Sequence, residues 1–425
     1  MLIAQKNVLR GLSKEQFKIL KLLCHYSKNV YNQGLYNVIN YFDAMDEYFT
    51  YDDNASNLKN SDNYKMLMAQ TSQQILRIVD NGFRSFFHVI KKRREGMYNR
   101  RVSRPNFLPK DGEFLLVFTK QNSRIKNGCI CFNLSKEFRK KHLPSFKTFS
   151  IKCPPFVTSS NIHEIRILPR YNRFEIEYIY ESSDVKVNVD ENKILGIDPG
   201  LDNLATCVNM QTGRSFIVDG RGLKSYNHRY NKRVADYQSK INKEKIVKRT
   251  RWLKTLDKKR YWFINNYLNQ SVNKIVKYCI ENKIGTVVIG ENKEWKQEIH
   301  LGKRNNQNFV QIPHGIFRYK LKSKCKRIGI VYISQEESYT SKCSFLDNES
   351  IEHHNEYMGK RPKRGYFITR NGIEINSDVN GGSNIARKCK QWLINNERLC
   401  TGLMLNPRRV RVISVPFQTK IINKS

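Results

Sequence analysis

Ile194-Leu195-Gly196-Ile197-Asp198-Pro199-Gly200 is the stretch on which the reading of this chain turns. An apolar run closed by Asp-Pro-Gly reads as a buried strand that ends in a turn and delivers a carboxylate there. LATCVNMQTGRSFIVDG follows it and reads as a hairpin turning at Gln211-Thr212-Gly213. Two more carboxylates sit at comparable ends: Glu291 closes TVVIGEN, and Asp378 lies at the turn into a helix in INSDVNGGSNIARK. Each has a bland explanation of its own, a plain turn for Asp198, a solvated strand end for Glu291 and a helix cap for Asp378. All three would have to hold together. Carboxylates brought side by side are costly without a positive charge between them, and a divalent cation is the usual occupant.

The composition points to the same chemistry. With 76 Lys and Arg against 38 Asp and Glu, the formal charge is +38, more than solubility requires. A polyanion partner with many phosphate contacts explains it most simply. Charge alone leaves open a solvated basic surface or a structural RNA binder. At 39% hydrophobic and 11% aromatic the chain can bury true cores, and its 425 residues suggest two to four domains. No apolar stretch reaches the length of a membrane span and no signal-peptide core follows the first residues, so a soluble, intracellular protein without a membrane partner is expected. The ten cysteines are scattered without a CxxC, the only close pair being Cys129 and Cys131 in NGCICFN, and buried free thiols are the favoured reading.

Periodicity divides the chain. MLIAQKNVLR reads as a strand, and Ser13 with Gln16 three residues on reads as a helix start. Helical spacing then runs to about Gly96, broken by a polar loop at Tyr51-Asp52-Asp53-Asn54-Ala55-Ser56. From Pro105 to Glu181 the period becomes two, in short strands that suggest a small antiparallel barrel. Asp184 to Asn192 is a polar connector. The hairpin after Ile194 leads into a long charged helical stretch from about Leu223 to Asn282, then strand, helix, strand, an irregular segment from Ser338 to Gly372, and a helix from about Ser383. This order predicts an α/β, RNase H-like layer.

GIDPG with LDNLATCV, then GRGLKSYNHRYNK, VVIGEN, QEESYTSKCSFLD and SDVNGGSNIARK, resembles TnpB, the OrfB-type, transposon-encoded RNA-guided nuclease family with a RuvC-like site, related to type V CRISPR effectors. The resemblance is close from about Ile194 to Trp392. It implies a multidomain α/β plus α+β chain: 1–10 the first strand of a wedge domain, 11–104 a helical recognition domain, 105–190 a β-barrel wedge domain, 191–400 a RuvC-like nuclease domain with an insertion at about 338–375, and 401–425 a basic tail. It implies Asp198, Glu291 and Asp378 as catalytic acids and metal ligands, with Asn380 and Asn384 as local supports. Oxygen-only ligands suit Mg²⁺ or Mn²⁺ and not Zn²⁺. The partners implied are a guide RNA from the transposon end and a double-stranded DNA target, in the cytoplasm of a prokaryotic cell and at its nucleoid when DNA is bound. A nuclease-inactive RNA-guided repressor and a strand-transferring transposase are the competing readings.

One departure from the family stands out. Many members carry a four-cysteine zinc ribbon between the second and third acids, whereas Thr340-Ser341-Lys342-Cys343 keeps one cysteine. Structural zinc takes four ligands, so a metal-free insertion held by Phe345, Tyr357, Tyr366 and Phe367 is expected, with His353 and His354 only weak nominees. Tyr226, Tyr230, Tyr237, Trp252, Tyr261, Trp262 and Tyr267 alternate with Lys224, Lys232, Arg233, Lys240, Lys243, Lys245, Lys248, Arg249 and Arg251. That mixture suits a nucleic-acid strand, and equally a solvated helix face. Polar side chains near Tyr31-Asn32-Gln33 and Thr71-Ser72-Gln73-Gln74 have chemistry suited to base edges, or are ordinary helix faces. Arg408, Arg409 and Arg411 in the tail fit an ordered RNA contact or a flexible end.

Overall fold

A computed structural model of the chain describes residues 2–142, 148–181, 187–243, 250–292, 313–389 and 406–412. It comprises two units, Met1–Ser183 and Asp184–Ser425.

The first unit opens with strand β1 (Leu2–Val8) and helices α1 (Lys14–Met45), α2 (Tyr51–Leu58), α3 (Asp62–Lys65) and α4 (Ala69–Arg94). Ser13 and Gln16 close a reciprocal capping box at the start of α1, an arrangement worth about 1 kcal/mol. The polar loop expected at 51–56 is instead α2. Thr50 caps it by accepting from the Asp53 amide, and Asp52 and Asp53 in its first turn meet the positive end of the helix dipole. Polar composition there encodes a helix start.

Strands β2 (Leu116–Thr119), β3 (Ser123–Lys126) and β4 (Cys129–Asn133), helix α5 (Lys136–His142), and strands β5 (Thr148–Lys152), β6 (Ile162–Arg170) and β7 (Arg173–Glu181) complete the unit. They form a sheet ordered β1-β7-β6-β2 and a second ordered β3-β4-β5. The described ladders leave both sheets open, so the small closed barrel is not confirmed. Leu20, Ile75, Phe132, Phe138, Ile165 and Phe174 belong to one core. Ile130 and Phe132 fill the inner face of β4, leaving Cys129 and Cys131 together on the less buried face. All nine described cysteines are free thiols. Asn32 brackets the backbone of Leu108, and Ser72 donates to the Tyr64 carbonyl, so these two base-edge candidates serve the fold.

The second unit carries β8 (Asp190–Asp198), β9 (Asn203–Asn209), β10 (Ser215–Asp219), α6 (Arg221–Lys243), α7 (Arg251–Glu281), β11 (Ile284–Glu291), α8 (His314–Ile328), β12 (Val331–Glu336), β13 (Tyr366–Ile368), β14 (Glu374–Asn376), α9 (Ser377–Lys388) and β15 (Arg408–Val410). β8 begins two residues inside the expected connector. The main sheet runs β12-β11-β8-β9-β10-β15. β8, β9 and β10 form an antiparallel meander, while β11 lies parallel to β8 on its other side and β12 parallel to β11. This is the RNase H-like layer expected from the sequence. Residues 408–410 of the basic tail are a strand paired in parallel with β10.

Alternation along the central strands splits the core in two. Leu195, Ile197, Val287 and Ile289 pack with Leu268, Val272, Ile275 and Phe317 of α7 and α8. Ile194, Val208 and Val288 pack with Val379, Ile385 and Ala386 of α9 and with Phe345 and Phe367 of the insertion.

The single long charged helix expected between 223 and 282 is two helices. Their aromatics are largely spent on pairing them: Tyr226 stacks on Phe263 at 3.9 Å and Tyr237 on Trp252 at 4.3 Å. Arg260 lies over Tyr230 and donates to Asn227, and Arg233 lies over Trp252. These rings and cations engage one another within the helix pair. Lys245, Lys248 and Arg249 lie outside the described residues.

Candidate active site

The site is assembled where α9 crosses the ends of β8 and β11. Gly196 is the point of closest approach: a Cβ there would stand 2.3 Å from the Gly382 carbonyl oxygen, so both strand and helix need the missing side chain. At the preceding position, a Cβ on Gly381 would lie 2.8 Å from Asp198 Oδ2, which sets the Asp198 carboxylate against the start of α9. Asp378 lies three residues before Gly381, on the same helix face. Asn376 caps α9 by accepting from the amides of Asp378 and Val379 at 3.0 and 3.3 Å, fixing that turn with its positive end toward the acids.

Asp198 accepts no hydrogen bond among the described residues. Burial first, then the charges of Asp378 and Glu337, push its carboxyl well above the usual carboxylate range, with Arg361 opposing. Asp378 is better served. Asn203 Nδ2 donates to its Oδ2 at 2.6 Å, and the Arg361 guanidinium lies 3.9 Å from its Oδ1.

Glu291 ends β11 with a different set of neighbours: Ser334 Oγ donates to its Oε2 at 2.5 Å, and Arg318 lies 3.7 Å from its Oε1. Between the two groups stands Glu337, which the sequence reading passed over. It follows β12, and a Cβ on Gly290 would fall 2.2 Å from its Oε1. Gly290 is one step beyond Ile289, the ladder partner of Ile197, and so is level with Asp198. Burial raises the Glu337 carboxyl to about 7; Arg318 opposes this, and Glu336 and Glu291 add to it. Glu337 thus feels Glu291 on one side and presses on Asp198 on the other. The sequence signal for it was Gly290, a glycine where a buried strand could have carried a side chain.

Three predicted acids therefore fall into two linked groups, Asp198 with Asp378, and Glu291 with Glu337. Among the described residues no three His, Cys, Asp or Glu side chains converge into a ready-made metal cage. The donor set still suits a divalent cation. Asp198 is a half-buried carboxylate with acidic neighbours and no donor among the described residues, an arrangement that a hard cation with oxygen ligands relieves.

The supports are elsewhere in α9. Asn380 accepts from the Phe345 amide and donates to the Cys343 carbonyl, both at 2.9 Å, and Asn384 donates to the carbonyls of Thr340 and Cys343 at 2.9 and 2.7 Å. Both asparagines clamp the insertion to the helix. Phe345 and Phe367 are buried in the core below, whereas Tyr366 is 39% exposed under Lys363, so it is not a core residue of the insertion as expected. Cys343 Sγ faces the Glu352 carbonyl, and His354 bonds to the Ser350 carbonyl oxygen at 2.8 Å.

A meander with two parallel strands beside it, and carboxylates at the ends of its central strands and at the start of the crossing helix, is an RNase H-like arrangement. The OrfB_IS605 family, described as probable transposase, matches residues 177–296, and the Cas12f1-like TNB domain family matches residues 314–385. The TnpB-like protein ORF457 of Acidianus two-tailed virus is 24% identical over 231 residues, 52% of this chain and 47% of that protein. The chain thus matches about half the length of this curated relative. A solved structure described as the Cas12f1-sgRNA-target DNA complex shares the fold with a TM-score of 0.58, covering 88% of this chain and 83% of that one at 17% identity. The chain is thus similar to TnpB-type proteins over these stretches. No described helix is long and apolar enough to cross a membrane.

Proposed function

We propose that this chain is a transposon-encoded RNA-guided DNA endonuclease, taking its guide from RNA of the transposon end and cutting double-stranded DNA beside a short adjacent motif. Asp198, Glu291 and Asp378 are its catalytic acids and would hold Mg²⁺ or Mn²⁺, with Glu337 joining Glu291 to Asp198. When bound, divalent ions supply the charge that activates water and stabilises the leaving oxygen of an in-line displacement. The observation that carries this reading is Asp198: half-buried, flanked by Asp378 and Glu337, and with a carboxylate that has no hydrogen-bond donor among the described residues. A carboxylate kept in that state is poorly suited to a purely structural role.

The chain's own residues would do the rest. Asn376 and Asn203 hold Asp378, Gly381 lets Asp198 lie against α9, and Ser334 and Arg318 orient Glu291. The first unit supplies the helical recognition and wedge functions in this reading, and the charge of +38 provides the phosphate contacts of guide and target. Base pairing then carries the sequence specificity, and the protein reads shape and the adjacent motif.

Sequencing the RNA that copurifies with the protein, followed by Mg²⁺-dependent cleavage of a matched duplex, tests the proposal. Asp198→Ala is expected to abolish cleavage and leave RNA and target binding near wild type. Cleavage that persists in Asp198→Ala refutes the site. Tight guided binding without cleavage in Mg²⁺ or Mn²⁺ supports the repressor reading, and joined donor and target DNA in the absence of RNA supports the transposase.

A further inference from the structure

Arg409 lies 31 positions beyond the last of the three acids, on the short strand β15, opposite Ile217 in the parallel ladder with β10. Lys274 Nζ donates at 2.9 Å to the carbonyl of Arg411, just past the strand, and holds its end in place. The guanidinium of Arg409 makes two bonds in different directions. One nitrogen donates to Asp219 Oδ1 at 3.0 Å, and the other donates to Asn203 Oδ1 at 2.8 Å. Asn203 then donates through Nδ2 to Asp378 Oδ2 at 2.6 Å.

The chemistry of this relay is directional. A primary amide offers a donor on one side and an acceptor on the other, and a flip of half a turn exchanges them. Arg409 can only donate, so it fixes the oxygen of Asn203 toward itself and the NH₂ toward the acid. Without it, the flipped amide would bring its oxygen against a carboxylate oxygen. Asp219 anchors the arginine and is itself bonded by Arg221 at 2.9 Å, so the guanidinium has little freedom to leave. Asp378 keeps Oδ1 for other partners, with only the Ser377 hydroxyl at 3.4 Å and Arg361 at 3.9 Å near it.

We propose that Arg409 is a positioning residue of the nuclease site, fixing the Asn203 amide so that Asp378 presents one engaged oxygen and one oxygen for a cation. The C-terminal segment is then a working part of the site, although it contributes no acid. This inference rests on the metal-dependent reading given under Proposed function. Outer residues that orient a metal ligand are typically worth 10–100-fold in metal affinity.

The test is Mn²⁺ binding to the purified full-length protein, read by electron paramagnetic resonance as loss of the free-ion signal, with no nucleic acid and no turnover. Arg409→Ala and Asn203→Ala are each expected to weaken Mn²⁺ binding about 10–100-fold. The double variant is expected to bind no worse than Asn203→Ala, because both act through one amide. Arg409→Lys keeps the charge but has one compact donor group in place of a planar fork, and is expected to resemble Arg409→Ala. Arg408→Ala, on the same strand, is expected to bind as wild type. Asn203→Ala leaves the ion pair with Asp219 intact, so it decides the matter even if Arg409→Ala fails to fold. Wild-type Mn²⁺ affinity in Arg409→Ala or Asn203→Ala, with Asp198→Ala defective, overturns this inference and leaves the nuclease reading standing. A wild-type protein that binds Mn²⁺ no better than Asp198→Ala overturns the metal reading itself, and this inference with it.

Discussion

Replacing Glu337 by Gln should change how the stability of the second unit depends on pH. In the folded chain this carboxyl is raised from its ordinary 4.5 to about 7, first by burial and then by Glu336 and Glu291 against the pull of Arg318. A raised acid binds more protons folded than unfolded between those values, so stability falls as pH rises from about 4.5 to about 7 and is level above. At about 1.4 kcal/mol per pH unit, the loss is at most about 3.5 kcal/mol. Glu337→Gln cannot ionise and escapes it. Removing the charge also relieves Asp198, which Glu337 helps to raise, and that adds in the same direction. All four tryptophans, Trp252, Trp262, Trp295 and Trp392, fall in Asp184–Ser425, so intrinsic fluorescence during urea unfolding reports on this unit alone. In EDTA, the variant should gain on wild type by up to about 3 kcal/mol between pH 5 and pH 8. Added Mg²⁺ at pH 8 should narrow the gap, since a cation inverts the local preference for the neutral acid. Parallel pH profiles for the two proteins would refute the assignment of Glu337 to the interior of the site.

Gly290→Ala places a Cβ 2.2 Å from Glu337 Oε1, and a flexible side chain can yield, so the fold should survive while the carboxylate is displaced. Cleavage is expected to fall about 100-fold with an almost unchanged melting temperature; a variant that cuts at the wild-type rate counts against a role for Glu337. Asn384→Ala removes the donor to the Thr340 carbonyl in a buried setting and should cost about 1–3 kcal/mol in urea unfolding. In buffer without Mg²⁺ or Mn²⁺, a zinc-selective chelator should leave melting of the second unit unchanged, and elemental analysis that finds one tightly bound zinc per chain would overturn the metal-free reading of the insertion.

Strand-end acids were legible because an apolar run followed by a turn fixes both burial and direction, and β8 and β11 carry that pattern with little interruption. The RNase H-like order followed from the same runs. Glu337 was not legible, because Gln335-Glu336-Glu337 looks like an ordinary charged strand end. Its burial depends on the register that sets Gly290 beside it, and register belongs to the sheet, not to the segment. Arg409 escaped for a related reason, since its bond to Asn203 joins residues 206 positions apart. The aromatics of α6 and α7 look like one continuous series in the sequence, where nothing marks the two helices as separate. With α6 and α7 packed side by side, the same spacing that would line up rings for a nucleic acid makes Tyr226 meet Phe263 and Tyr237 meet Trp252. Thr50 shows the converse error, in which a polar cluster was taken for a loop and its cap was not weighed.

Glycine placement explains why acids from such distant segments act on one another. Gly196 and Gly382 bring α9 to van der Waals contact with β8, and the helix turn that carries Asp378 therefore arrives beside Asp198. Gly290 does the same on the other flank by leaving room for Glu337. Each of these glycines gives up side-chain packing in a buried sheet or helix, which is locally unfavourable. The acids they admit add electrostatic cost, seen in the raised carboxyls of Asp198 and Glu337. A fold selected for stability alone would fill these positions with apolar side chains. Two local costs that fall together, around carboxylates and at the ends of the central strands, are what the proposed cation-binding role accounts for and a purely structural role does not.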